Sequence, residues 1–200
     1  DIHTQLSQLN LSAFSDHPSL MTPEIDKVVA ARPKQYSAFS LGPDPRTGIF
    51  KFGFRHKKDG DTLSFGDFFD GDGSVDGEYV RQLQVGQTDE WELTSAGFGG
   101  HPFHIHVNPF HIHVNPFQIV KILNPQGKDV SEAVAPEDPV NPVLDDVQYR
   151  GMKGQFKDTL FVKQNYTYIV RSHYKKFEGD FVQHCHILDH EDQGMMETVR

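Results

Sequence analysis

The apolar residues of this chain come in short alternating runs, each cut off by a turn signal before a helix of ordinary length can form. In Ile49-Phe50-Lys51-Phe52-Gly53-Phe54 an aromatic ring recurs at every second position, the period of a strand with one buried face. Trp91-Glu92-Leu93-Thr94, continuing an alternating Gln84-Val85 stretch, reads the same way. So do residues 117–123, 158–162, 166–170 and 180–183. The 17 glycines and 12 prolines supply turns between these segments, and strands at roughly ten-residue spacing predict an all-β sandwich. Only residues 23–32 carry a short helical pattern.

Residues 1–44 are polar, aperiodic and punctuated by prolines. They read as an extended N-terminal tail or a connector from a preceding domain, which divides the chain into residues 1–45 and a folded domain at 46–200. Residues 57–78 are acidic and Gly-rich. A calcium loop does not fit there, because Val75 stands where the loop needs glycine and Arg81 where it needs a bidentate Glu. A solvated hairpin turn is the expectation. Residues 124–150, rich in proline, are expected to form a long surface excursion. Asn10-Leu-Ser12 and Asn165-Tyr-Thr167 match the glycosylation pattern, which matters only on a secretory route.

With 28 acidic against 19 basic side chains the net charge is −9, which argues against a nucleic-acid partner, since that needs clustered Lys and Arg. No apolar run approaches the roughly 20 residues of a membrane-spanning helix. No basic-then-apolar segment opens the chain, so the sequence reads as a mature form, a fragment or a cytosolic protein. The single cysteine, Cys185, cannot form an internal disulfide. Histidine is the unusual count: twelve, five of them within 101–113 and three within 184–190.

Those two clusters carry the chemistry. His184-Cys185-His186-Ile-Leu-Asp-His190-Glu191-Asp-Gln-Gly194-Met195 places an imidazole five residues after the thiol and a thioether ten residues after it. These are the donors of a blue-copper electron-transfer site, which takes two His and one Cys with a long axial Met. The second imidazole must come from elsewhere, with His101 the leading candidate. His184 and His186 flank Cys185, and alternate strand residues point oppositely. They therefore face a second metal site, one covalent step beyond the cysteine. His104 and His106 are two apart and share a face if extended, which makes His104, His106, His184 and His186 four ligands of a copper cluster.

His101-Pro-Phe-His104-Ile-His106 and His184-Cys-His-Ile-Leu-Asp-His190 with Gly194-Met195 resemble the third and fourth copper motifs of the multicopper oxidases, the family of laccases and bilirubin oxidases. The stretch from Asp158-Thr-Leu-Phe-Val162 through Gly179-Asp-Phe-Val182 to Gly194-Met-Met196 is similar to bacterial members. The resemblance covers about residues 80–200. It implies a cupredoxin-like Greek-key β-sandwich, the C-terminal domain of such an oxidase. It also implies a type 1 copper on His101, Cys185 and His190 with Met195 axial, His104 at the type 2 copper, and His106, His184 and His186 at the type 3 pair. Glu191 matches an acidic position that in some members helps deliver protons to oxygen. The implied partners are dioxygen and a small reducing, phenol-like substrate, and the implied location is periplasmic or secreted.

Two departures qualify the expectation. The family's cluster takes four more histidines from two His-x-His motifs on an N-terminal domain, whereas His3, His17, His56 and His173 stand singly here. An N-terminal cupredoxin domain or a second chain must then complete the cluster. Without one, the chain is a lone type 1 copper module. The second departure is a tandem repeat: residues 104–110 and 111–117 are both His-Ile-His-Val-Asn-Pro-Phe. Asn108 occupies the place before the second copy that His101 holds before the first, so the ligands are assigned to the first copy. If the second copy lies in the sheet instead, His111 and His113 take the cluster roles. A zinc hydrolase is the remaining alternative for a His and Cys site, but it lacks a carboxylate general base in these motifs.

Overall fold

The computed structural model describes residues 17–43, 49–55, 74–75, 78–79, 81–95, 99–105, 115–133, 146–175 and 178–200. Two sheets sandwich one core. The larger holds six strands: β1 (Gln35–Pro43), β2 (Phe50–Arg55), β5 (Thr88–Ser95), β7 (Phe117–Leu123), β8 (Phe156–Lys157) and β10 (Thr167–His173). Their order is β2-β1-β5-β10-β7-β8. The smaller sheet runs β12-β11-β6-β9, from β6 (His101–Ile105), β9 (Thr159–Val162), β11 (Phe181–Cys185) and β12 (Met196–Val199). Pairing is antiparallel throughout these sheets except for β1 beside β5. Neighbours so distant in sequence mark the Greek-key crossovers of a cupredoxin-like, all-β sandwich.

Alternation in the sequence becomes burial in the structure. Trp91 and Leu93 of β5 and Tyr168 and Val170 of β10 are buried from one sheet, while Phe103, Ile105, Leu160 and Val162 meet them from the other. The strand segments expected from sequence reappear within a few residues of their predicted limits. Gln84-Val85 does not join β5, because residues 81–87 form no strand of their own. Ser74–Val75 (β3) and Glu78–Tyr79 (β4) pair as a two-stranded hairpin. The rest of the acidic 57–78 segment lies outside the described residues.

The helix expected at 23–32 is α1 (Pro23–Ala30). Thr22 caps it by accepting from the Ile25 amide at 3.3 Å, Pro23 stands in the first turn, and Glu24 and Asp26 face the positive end of its dipole. Arg171 on β10 fastens it, donating to Asp26 at 2.7 Å, to the Leu20 carbonyl at 2.9 Å and to Glu90.

The N-terminal reading needs correction. Residues 35–43 were expected in a tail outside the core, yet β1 runs between β2 and β5, and Phe39 is fully buried. The folded unit therefore begins before residue 46. The sequence concealed this because the polar stretch on either side of Tyr36-Ser37-Ala38-Phe39 hides a strand with few apolar residues. Residues 124–150 are likewise not only a surface excursion. Asp129 bridges back to Leu123, and Val130 and Tyr149 are core residues. Tyr149 earns its burial by donating to the Phe161 carbonyl at 2.6 Å and accepting from the Tyr168 hydroxyl at 2.7 Å.

A buried ion pair ties the smaller sheet to β1. The Arg81 Nε donates to Glu197 at 3.1 Å, with both side chains buried. The guanidinium also donates to Gln35 and to the Tyr36 carbonyl, and it lies 4.4 Å above the Trp91 ring. Gln183 donates to Glu197 and to Ser37. This satisfaction is what makes a buried charge pair tolerable.

Candidate metal centre

The register between β6 and β11 sorts the site residues onto two faces. His104 lies opposite His184, Phe103 opposite Cys185 and Ile105 opposite Gln183. Directly opposed residues share a face and successive ones alternate. Cys185, Phe103 and His101 thus face the core, while His104 and His184 face away from it.

The chain then folds back on itself. After β11, α2 (Leu188–Asp192) begins, the His190 amide donates to the Ile187 carbonyl, and the Met195 amide donates to the His190 carbonyl at 2.9 Å. The Cys185 amide donates to the Met195 carbonyl at 3.0 Å, which closes the loop. Gly194 allows this return at φ 110°, and a Cβ there would stand 3.4 Å from the Phe52 carbonyl.

The closure brings three donors together. His101 Nδ1 and His190 Nδ1 lie 3.1 Å apart, and each lies 3.6 Å from Cys185 Sγ. A trigonal metal bound to two imidazoles and a thiolate at roughly 2.0 and 2.3 Å spaces its donor atoms about 3–4 Å apart. The triangle fits a metal ion without rearrangement. Its chemistry fits too. Burial pushes the Cys185 thiol up to about 11, the Ile187 backbone hydrogen bond opposing and the Glu191 carboxylate adding to the rise. Burial holds His190 below the ordinary histidine range, against the pull of Asp189. Burial thus favours the neutral thiol of Cys185 and the neutral imidazole of His190, and a bound cation would displace the thiol proton. Met195 is fully buried and tied through its backbone to both Cys185 and His190.

On the other face, three imidazoles form a second group. The ring centroids of His104, His184 and His186 are 5.3–5.4 Å apart. His104 Nδ1 lies 2.8 Å from the Thr159 hydroxyl and 3.1 Å from the Asp158 carbonyl. His184 Nδ1 lies 3.0 Å from the Cys185 carbonyl and 3.3 Å from Glu191. An imidazole that donates from Nδ1 carries its lone pair on Nε2, the arrangement that orients metal-bound histidines. His186 is exposed. His106, His111 and His113 lie outside the described residues, as does most of the repeat. The first copy contributes His104 and Ile105 to β6, and the second copy ends in Phe117, where β7 begins.

Sequence reasoning missed the partners of these rings. Thr159 holds His104, Phe39 stacks on His101 with centroids 5.0 Å apart and planes 5° apart, and Phe52 stacks on His190 at 3.8 Å and 20°. The alternation of Phe50, Phe52 and Phe54 was visible, but alternation reports a buried face and not what that face touches.

Residues 56–200 match the family Multicopper oxidase. This chain belongs to the multicopper oxidases. Among curated proteins it is similar to the bilirubin oxidase of Albifimbria verrucaria, 28% identical over 123 residues, which are 61% of this chain and 17% of that protein. It is also similar to the laccase of Bacillus subtilis strain 168, 28% identical over 117 residues, 58% of this chain and 20% of that protein. The chain thus spans a fifth or less of the curated relatives it matches. Among solved structures, a laccase from Pediococcus acidilactici Pa5930 aligns at 25% identity with a TM-score of 0.49, covering 92% of this chain and 29% of that one. For a multicopper oxidase, copper is the metal to test against this site, and two imidazoles with a thiolate suit it.

Proposed function

We propose that this multicopper oxidase chain is the electron-accepting domain of a copper-dependent oxidase. With copper bound, it would take single electrons from a reducing, phenol-like substrate at a type 1 site and pass them to a trinuclear site for the reduction of dioxygen to water. His101, Cys185 and His190, with Met195, would hold the type 1 metal. His104 would serve the type 2 position, and His106, His184 and His186 the type 3 pair. The observation that carries the reading is the convergence of two Nδ1 atoms and one Sγ within 3.1–3.6 Å, next to a second group of imidazoles.

Copper supplies the one-electron chemistry that these side chains lack. The chain supplies the rest. Cys185 joins the two groups covalently, its sulfur in one and its neighbours His184 and His186 in the other. His190 is the partly exposed member of the triad and stands two residues after the exposed Leu188, so the reducing substrate would approach there. Glu191 lies 3.3 Å from His184 Nδ1, next to the second group, in keeping with a role in proton delivery. An N-terminal cupredoxin domain or second chain would complete the trinuclear site on the face that bears His104, His184 and His186. A periplasmic or secreted location belongs to the same proposal.

Oxygen uptake with a phenolic reductant tests it. Uptake by the copper-loaded chain, alone or once an N-terminal partner is added, supports the oxidase. No uptake under either condition, with the visible thiolate band intact, leaves a lone type 1 electron-transfer module instead.

A further inference from the structure

The two inward imidazoles do not stand alone. Their rings lie 5.0 Å apart, and each is backed on its own phenyl ring, Phe39 behind His101 and Phe52 behind His190. Phe52 also turns its ring toward His101 at 6.2 Å and 66°. The four rings make one assembly, bounded by a phenyl at each end. Both phenyls come from adjacent strands: β1 and β2 pair with Phe39 opposite Phe54 and Leu41 opposite Phe52, so Phe39 and Phe52 share the inward face. Neither strand lies in the stretch that matches the family, which begins at residue 56.

Burial alone does not account for this arrangement. Phe39 is a core residue that meets Phe54 at 4.9 Å and Phe103 edge-on at 6.0 Å. Against His101, by contrast, it lies almost parallel. Phe52 is only half-buried, yet its closest ring partner is His190. An imidazole bound to a metal cation is electron-poor, and the face of a phenyl ring is electron-rich, so stacking favours the bound state. The cupric form withdraws more charge than the cuprous form and gains more from the stack.

We propose that Phe39 and Phe52 form an aromatic clamp on the type 1 ligands, positioning the His101 and His190 rings and favouring the oxidised metal. The clamp rests on the copper reading of the site. It makes β1 and β2, through Phe39 and Phe52, part of the electron-transfer centre, fixing the planes of two ligands.

The test uses the full chain loaded with copper, as wild type and as Phe52→Leu, Phe52→Tyr and Phe39→Leu. Chelator competition, EPR and a potentiometric titration of the thiolate-copper band are read on each. Leu keeps the apolar bulk and removes the ring, whereas Tyr keeps the ring. The clamp predicts that F52L binds copper about 2- to 12-fold more weakly, the worth of one aromatic pair. It also predicts an altered hyperfine pattern and a raised midpoint potential in F52L, and wild-type values in F52Y. F39L should change in the same direction, and because Phe39 is a core residue, the half-buried Phe52 keeps the test decisive if F39L does not fold. A blue wild type whose affinity, hyperfine pattern and potential are all unchanged in F52L overturns the clamp alone. A wild type with no thiolate-copper band overturns the copper reading and the clamp with it.

Discussion

Cys185 sits where two groups of imidazoles meet, and its side chain decides what the inward one can do. Buried and protonated in the metal-free chain, it becomes a ligand only when a cation replaces its proton. Cys185→Ser removes the polarisable donor while keeping the size of the side chain, so the account expects loss of the intense visible absorption in a chain that still folds, read by absorbance beside circular dichroism. Thr159→Val tests the outward group. It deletes the hydroxyl 2.8 Å from His104 Nδ1, and losing such an orienting contact weakens metal binding by about 10-fold or more, measurable by chelator competition. That Cys185 and His190 converge was legible in the sequence from their donor types and five-residue spacing, and His101 joined them through the resemblance of its motif. Thr159, Phe39 and Phe52 were not legible. A hydroxyl or a phenyl has many ordinary uses, and only the register of β6 with β9 and of β1 with β2 brings these to an imidazole.

At the scale of the element, strands with a buried face revealed themselves through alternation, and β7 was found with its limits intact. β1 did not. Its partners lie on both sides, and a strand with Gln35, Ser37, Ser40 and Gly42 shows no hydrophobic period to read. The Arg81–Glu197 pair helps explain how such a strand is held, since Arg81 also donates to Gln35 and to the Tyr36 carbonyl. Glu197→Ala removes this buried partner of the guanidinium and is expected to cost up to about 3–5 kcal/mol, read as a lower urea midpoint with little change in slope. The turn after β7 gives a pH signature. Burial pushes the Asp129 carboxyl up, but the Ser131 hydroxyl, the Ser131 and Ile122 amides and Lys153 outweigh it and hold the group below the usual carboxylate range. A folded-state value depressed in this way stabilises the fold above the carboxylate range, and that stability is lost as pH falls through it. Asp129→Asn should flatten the acid side of the stability profile and leave the slope near neutrality unchanged.

The described residues form a sandwich whose smaller sheet, with the turn and short helix after β11, carries one group of donors inward and one outward, joined through a single residue. The fold class was readable from turn spacing, and the copper motifs from their donors. The place where the folded unit begins was not readable, because β1 is defined by its neighbours. The outward group has three described imidazoles and opens onto solvent at His186, which fits a surface completed by another domain. His101, Cys185 and His190 of the inward group all come from this chain, so the central claim can be tested without any partner. Purified chain loaded with copper would be examined for metal content, visible absorption and EPR together. The account predicts an intense thiolate-to-copper band and a type 1 EPR signal, both lost in Cys185→Ser. Copper bound without that band, or a band that survives in Cys185→Ser, would contradict it.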